Sequence, residues 1–221
     1  MLGLLRKRAE GKAGATAIDL STPLERADYV VMDTELTGLE ARTDSIVSIG
    51  ALRMTGSRIE LNNSFYEVVR PRTGLTAGSI VVHEITPSET EKMPGIEGIL
   101  EEFLRFCDGA VIVGHFISLD LRFLTRELKG AGFSSLNNPA VDTCTIYEWM
   151  HDRSDFSSGY FARTRTKDLF SIAKKFQIPV QGAHNAIMDA YVTAQLFQRF
   201  IAMLMKLGVR TLSDLLRIGK P

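Results

Sequence analysis

The apolar run Tyr29-Val30-Val31-Met32 is of strand length and is followed at once by Asp33, Thr34, Glu35, Thr37 and Gly38, so it reads as a buried strand ending in a loop. Residues 46–54 form a second strand. Thr55-Gly56-Ser57 is turn chemistry, and beyond it Ile59, Leu61 and Phe65 alternate at period two, which completes a hairpin. A loop carrying Pro71, Gly74 and Gly78 follows. Ile96, Ile99, Leu100, Phe103 and Leu104 then keep helical spacing, with acidic residues on the opposite, solvent-facing side. Residues 110–113 read as a strand, 118–129 as a helix ended by Gly130 and Gly132, and 140–143 as a further short strand. Residues 151–166 are polar and aromatic, the longest loop, expected to border the site. A helix over 167–176 precedes a long one striped by Ile187, Ala190, Ala194, Phe197, Ile201 and Leu204, and a short helix over 212–216 closes the chain.

With 221 residues and 45% hydrophobic content, the chain supports one α/β domain with a full core. The domain is expected over 28–221, preceded by a mobile basic arm over 1–27 that contains GKAGAT. The 26 basic and 26 acidic residues cancel, so no long-range field draws the whole molecule to nucleic acid or an anionic membrane. Nucleic-acid contact must then be local, which suits gripping a strand end better than coating a duplex. Cys107 and Cys144 have neither zinc-site spacing nor the density of a disulfide scaffold. No run approaches the roughly 18 apolar residues of a membrane span, and the N-terminus lacks the apolar stretch of a signal peptide, so a cytoplasmic location is expected.

Asp33 and Glu35 project to the same side of an extended chain, about 6 to 7 Å apart. Like charges that close favour a divalent cation, although the pair alone is equally compatible with solvated residues leaving a strand. In VIVGHFISLDLRFL, Asp120 falls in the first turn of a helix, with Ser118 as the better capping residue, which leaves the Asp120 carboxylate free. In GAHNAIMDA, His184 and Asp189 stand five apart, roughly 140° around a helix. They converge only if His184 lies on the loop entering the helix, as Gly182 and Ala183 permit.

The ordered set DTELTGL, GHFISLDLRFL and HNAIMDA resembles the three motifs of the histidine branch of the DEDD exonucleases, the group that includes the proofreading epsilon subunit of the bacterial replicative polymerase. The resemblance covers residues 28 to about 202. It implies a ribonuclease-H-like mixed sheet of five strands, the second antiparallel to its neighbours, flanked by helices. It further implies that Asp33, Glu35, Asp120 and Asp189 hold two Mg²⁺ or Mn²⁺ ions and that His184 is the general base. Oxygen-only ligands suit such cations, two ions can serve both the attacking water and the leaving oxygen, and histidine is the side chain that ordinarily titrates near neutrality.

By the same resemblance Thr37, Gly38 and Leu39 lie against the terminal nucleotide, Leu39 as a wedge between bases, and His83 and Phe116 touch the substrate. Three residues depart from the pattern: Leu36 where threonine is frequent, Glu84 where glycine is common, and Phe116 where asparagine is usual. His115 reads as a structural strand-end histidine and His151 as a loop residue. RTRTKDLFSIAKK, residues 163–175, carries five basic residues against one acidic and follows Tyr160 and Phe161, which suits guiding a single strand. The implied partner is the 3′ end of a single strand, with DNA favoured and a polymerase subunit as a possible companion. The competing readings are RNA 3′-end trimming and a binding module without catalysis.

Overall fold

The computed structural model describes residues 16–153, 166–180 and 184–221. The expectations for the first part of the arm, for Tyr160, Phe161, Arg163, Arg165 and most of the loop over 151–166, and for Gly182 and Ala183 fall outside these residues.

Five strands, β1 (Asp28–Leu36), β2 (Ile46–Thr55), β3 (Arg58–Val68), β4 (Val111–Gly114) and β5 (Ala140–Asp142), form one sheet in the order β3-β2-β1-β4-β5. β2 is antiparallel to both neighbours, whereas β1, β4 and β5 are parallel. This is the expected ribonuclease-H-like arrangement. The flanking helices are α1 (Ala77–His83), α2 (Pro87–Thr90), α3 (Leu100–Cys107), α4 (Ser118–Gly130), α5 (Thr143–His151), α6 (Leu169–Lys175), α7 (Ala186–Lys206) and α8 (Leu212–Ile218).

β1 is central and covered on both faces, which is why its apolar part is a continuous run rather than an alternation. Tyr29 and Val31 pack with Val113, Tyr147, Ile172, Phe197 and Leu215 on one side. Val30 and Met32 pack with Ile112, Phe103, Phe123 and Leu124 on the other. Each of these side chains adds about 1.5–3 kcal/mol by leaving water. The odd-numbered face of β1 therefore looks toward α7 and the even-numbered face toward α4.

Several expectations are corrected. β1 does not stop before Asp33; it runs to Leu36, because ladder pairing of Asp33 with Gly50 and Glu35 with Ser48 is indifferent to side-chain polarity. The alternation across β3 breaks: Arg53 pairs with Glu60 but Leu52 with Ser64. Residues 61–63 have no partners, an odd insertion that reverses parity, so Ile59 packs with the α7 side, Phe65 with the opposite side, and Leu61 is exposed. Gly78, read as loop, lies inside α1, which a Thr76–Ser79 capping box starts. The helical spacing from Ile96 begins with a 3₁₀ turn before α3. α5 was not anticipated, and His151 is its last residue.

Ser118 does not cap α4. Ile117 holds that position without a side-chain bond, and its N–H donates to Asp142 Oδ2 at 3.1 Å. Residues 16–27 belong to the packed domain rather than to an arm: Leu24 is buried, Leu24 N–H donates to Arg210 O, Leu212 N–H to Thr22 O, and Thr16 bonds the Asp108 carboxylate. No helix among the described residues is long and apolar enough to cross a membrane.

Gly50 lets α7 reach the sheet. A β-carbon there would stand 2.2 Å from Ile187 N and 2.3 Å from Ala186 C, both backbone atoms. The Gly50→Ala variant is expected to lose about 2 kcal/mol by overpacking, read as a lower denaturation midpoint at unchanged slope. Conversely, Glu84→Gly relieves a left-handed φ of 60° at the end of α1 and is expected to gain about 0.5–1 kcal/mol by the same measurement.

Candidate active site

β1 continues on one side into β2, whereas β4 continues through α4 to β5 on the other, so the chain diverges at the carboxyl ends of β1 and β4. Open α/β sheets place ligands at such a divergence. Asp33 and Glu35 sit there on the odd-numbered face, toward α7. Thr34 points the other way, toward α4, and its hydroxyl donates to Asp120 Oδ1.

α7 begins at Ala186, with Asn185 as its cap, so His184 is two residues outside the helix, as convergence with Asp189 required. His184 N–H donates to Asp189 Oδ2 at 3.2 Å. The imidazole is exposed and meets the Phe170 ring edge-on at 5.3 Å. Asp33, Glu35 and Asp189 each offer a carboxylate oxygen within 4.8 Å of the others. Asp120 stands outside that triplet, held by Thr34, but close enough for its charge to act on Asp33 and Glu35.

The electrostatics follow from burial and crowding. Removal from water pushes the Asp33 carboxyl well above the usual range, reinforced by the charges of Asp120, Glu35 and Asp189. Burial raises Glu35 to about 8, with Asp189 and Asp120 adding to it. Asp120 is raised by burial to about 7 despite the Thr34 hydrogen bond, and Asp189 by burial to about 6 despite His184. Among the described residues no lysine or arginine pairs with any of the four. Asp189 Oδ1 is buried with no hydrogen-bond partner. A cluster of oxygen donors with surplus negative charge and an unsatisfied buried oxygen fits hard divalent cations.

The remaining expected contacts are placed as follows. Thr37 is buried and closes its own loop, its hydroxyl accepting from Ser45 N–H at 2.9 Å. A β-carbon at Gly38 would meet the Asp44 carboxylate at 2.4 Å, whereas Leu39 is 74% exposed. His83 is buried; its Nδ1 accepts from Ile85 N–H at 3.1 Å, Nε2 has no partner, and burial lowers its pKa. His83 and His184 line one open cavity of about 590 Å³ together with Tyr66, Glu84, Met93 and Asn185. His115 is structural, bonded through Nδ1 to Thr143 Oγ1 and through Nε2 to Lys167 O.

Two departures from the family pattern share a backbone trait. Glu84 and Phe116 have φ of 60° and 56°, the left-handed region in which glycine and asparagine rest most easily. Both residues hold that conformation at a cost in strain, and the Phe116 ring is left 46% exposed against His115 at 4.7 Å. His184, at φ 62°, makes a third such residue beside the site.

Sequence reasoning missed Thr34, Gly50 and Asp142. Thr34 was detectable as the opposite-face residue between two carboxylates, and Gly50 as a glycine inside an apolar strand. Asp142 was detectable only as the cap of α5, its Oδ1 accepting from Cys144 N–H at 2.8 Å; its bond from Ile117 N–H, which ties it to the start of α4, had no local signal.

Known proteins resemble this chain in sequence and in fold. The sequence profile of the RNase_T exonuclease family matches residues 30–197. A DNA polymerase III subunit epsilon-like protein of Rhodobacter capsulatus is 32% identical over 211 residues, covering 93% of this chain and 28% of that protein. A PolC-type DNA polymerase III of Thermotoga petrophila is 29% identical over 198 residues, covering 90% of this chain and 14% of the polymerase. The chain thus spans well under a third of these relatives' length.

Two solved structures share the fold. E. coli exonuclease I in complex with a dT13 oligonucleotide superposes with a TM-score of 0.73 at 14% identity, covering 83% of this chain and 43% of that one. Exonuclease X in complex with 5′ overhanging duplex DNA gives 0.65 at 20% identity, covering 86% and 98%. With its motifs convergent at one sheet end and most of its length matched by the profile, the chain belongs to the RNase_T exonuclease family, in the DnaQ-like branch whose third motif carries a histidine.

Proposed function

We propose that the chain is a 3′-to-5′ exonuclease that hydrolyses the terminal phosphodiester bond of single-stranded DNA or mismatched primer ends and releases nucleoside 5′-monophosphates. The convergence of Asp33, Glu35 and Asp189 within 4.8 Å, with His184 bonded to Asp189, carries this reading. Asp33, Glu35, Asp120 and Asp189 would hold two divalent cations, Mg²⁺ or Mn²⁺. When bound, such a pair activates water and stabilises the leaving 3′ oxygen.

The chain's own residues do the rest. His184 takes the proton of the attacking water, and its backbone bond to Asp189 keeps the imidazole beside the carboxylate cluster. Thr34 orients Asp120 from the opposite face of β1. Leu39, exposed on its loop, and Phe116, exposed on its strained turn, offer apolar surface on which unpaired bases stack. His83 lines the cavity beside His184, and its buried Nε2 has no hydrogen-bond partner among the described residues. DNA is favoured because the polymerase relatives and the DNA-bound fold neighbours point the same way, which also suits work beside a polymerase in the cytoplasm.

The test is a product ladder from 5′-labelled single-stranded DNA, duplex DNA and RNA, with Mg²⁺, Mn²⁺ or chelator. Metal-dependent shortening of single-stranded DNA is expected; shortening of RNA alone overturns the substrate assignment, and no shortening overturns the activity. Asp33→Ala and His184→Ala are each expected to slow hydrolysis about a hundredfold or more.

The raised carboxyl pKa values set a pH dependence of stability. In the cation-free protein the folded state holds protons that the unfolded chain, with ordinary carboxylates, has already released. The stabilisation is complete below about pH 4 and is lost as pH rises through about 6 to 8, the folded values of Asp189, Asp120 and Glu35. The thermal midpoint without cation is therefore expected to fall from pH 5 to pH 8, and Mg²⁺ or Mn²⁺ to raise it far more at pH 8 than at pH 5. Asp33→Asn is expected to raise the cation-free midpoint at pH 8; a lower one contradicts the crowding of charge.

A further inference from the structure

Glu127 on α4 carries a carboxyl group yet is only 1% exposed, and it lies outside the carboxylate cluster. Its Oε1 accepts from Arg126 Nε at 3.1 Å and also from Arg126 Nη2. Arg72 Nη2 stands 3.3 Å from Oε2, close enough to pair, though without hydrogen-bond alignment. The remaining arm of the Arg126 fork, Nη1, donates to Ala41 O. Ala41 belongs to the loop 37–45 that carries Leu39.

The same loop is tied next to Arg72. Thr73 Oγ1 donates to Thr43 O at 2.6 Å, and Thr73 N–H donates to Ser45 Oγ at 3.1 Å. Inside the loop, Asp44 accepts from Glu40 N–H at 2.8 Å and fills the space beside Gly38. Every tie falls on the backbone or the polar residues, and Leu39 is the large apolar side chain of the loop that is left projecting, at 74% exposure.

A buried ion cluster is a poor way to gain stability, since apolar residues of similar volume serve as well or better. What it supplies is direction. A guanidinium is a rigid fork, and a carboxylate bound to two of its nitrogens fixes where the third points.

We propose that Glu127, with Arg126 and Arg72, is a positioning residue for substrate grip, clamping the loop 37–45 so that Leu39 is presented to the 3′-terminal nucleotide of a single strand. This rests on the exonuclease reading of the site. The clamp shares α4 with Asp120, seven residues earlier, so one helix aligns a candidate cation ligand and the loop that grips the strand.

Glu127→Gln keeps the shape but frees the fork; Arg126→Lys keeps the charge but lacks the fork. Each is expected to raise KM for a single-stranded DNA oligonucleotide about fivefold or more, with kcat within about twofold. Combined with Leu39→Ala, either is expected to add little to the KM rise of Leu39→Ala alone, since both act through one contact. Amide hydrogen exchange over residues 38–44 is expected to speed about tenfold in both variants, with β1 and α7 unchanged.

Unchanged exchange in this loop, an unchanged KM, a kcat loss without a KM change, or full function of Arg126→Lys overturns the clamp. A lowered thermal midpoint with wild-type KM makes Glu127 a strut of the fold and also overturns it. If the unaltered chain hydrolyses no substrate, the activity reading fails on its own, and the exchange rates still decide whether the clamp exists.

Discussion

Mutual repulsion among crowded, largely buried carboxylates is the constraint around which this molecule is arranged. Asp33, Glu35, Asp120 and Asp189 are held where water is scarce and where no lysine or arginine of the described residues pairs with them. Nothing local favours that crowding. It persists because the rest of the fold over-determines the positions of its members: the ladder of β1 with β2, the contact of α7 with Gly50, and the Thr34 bond to Asp120. The two apolar layers against the sheet supply the stability that the site spends.

Strain follows the same logic. Glu84, Phe116, Gln177 and His184 occupy the left-handed region without being glycine, and two of them, Glu84 and His184, line the cavity beside the cluster. Such residues persist where surrounding structure fixes the chain path and the side chain has work to do. At Phe116 the result is a ring held outward against His115, itself locked at both nitrogens by Thr143 and Lys167. Support thus comes from beneath the surface, whereas the groups turned outward, Leu39, Phe116 and His184, remain available.

The fold was largely legible because its strands and longest helix announce themselves by period. The continuous apolar run of β1 and the stripe from Ala190 to Leu204 on α7 are signals of burial that tertiary contact did not overrule. The failures have particular causes. Three unpaired residues in β3 reverse the facing of Ile59 relative to Phe65, and no local pattern records an unpaired insertion. Gly78 masked α1, whose start is set by a Thr76–Ser79 capping box. Leu24 draws residues 16–27 into the core through contacts with the far end of the chain, near Arg210 and Leu212.

The sequence by itself determined the chemistry available and its spacing: two carboxylates on one strand face, an aspartate in the first turn of α4, and a histidine two residues ahead of α7. These are local matters, governed by the two-residue repeat of strands and the 3.6-residue turn of helices. Only the tertiary structure decided that these groups meet, that Thr34 and Asp142 hold the elements that carry them, and that Arg126 reaches back 85 residues to Ala41. The physical reason is that burial, charge repulsion and hydrogen-bond geometry depend on distances through space, which the order of residues along the chain does not contain.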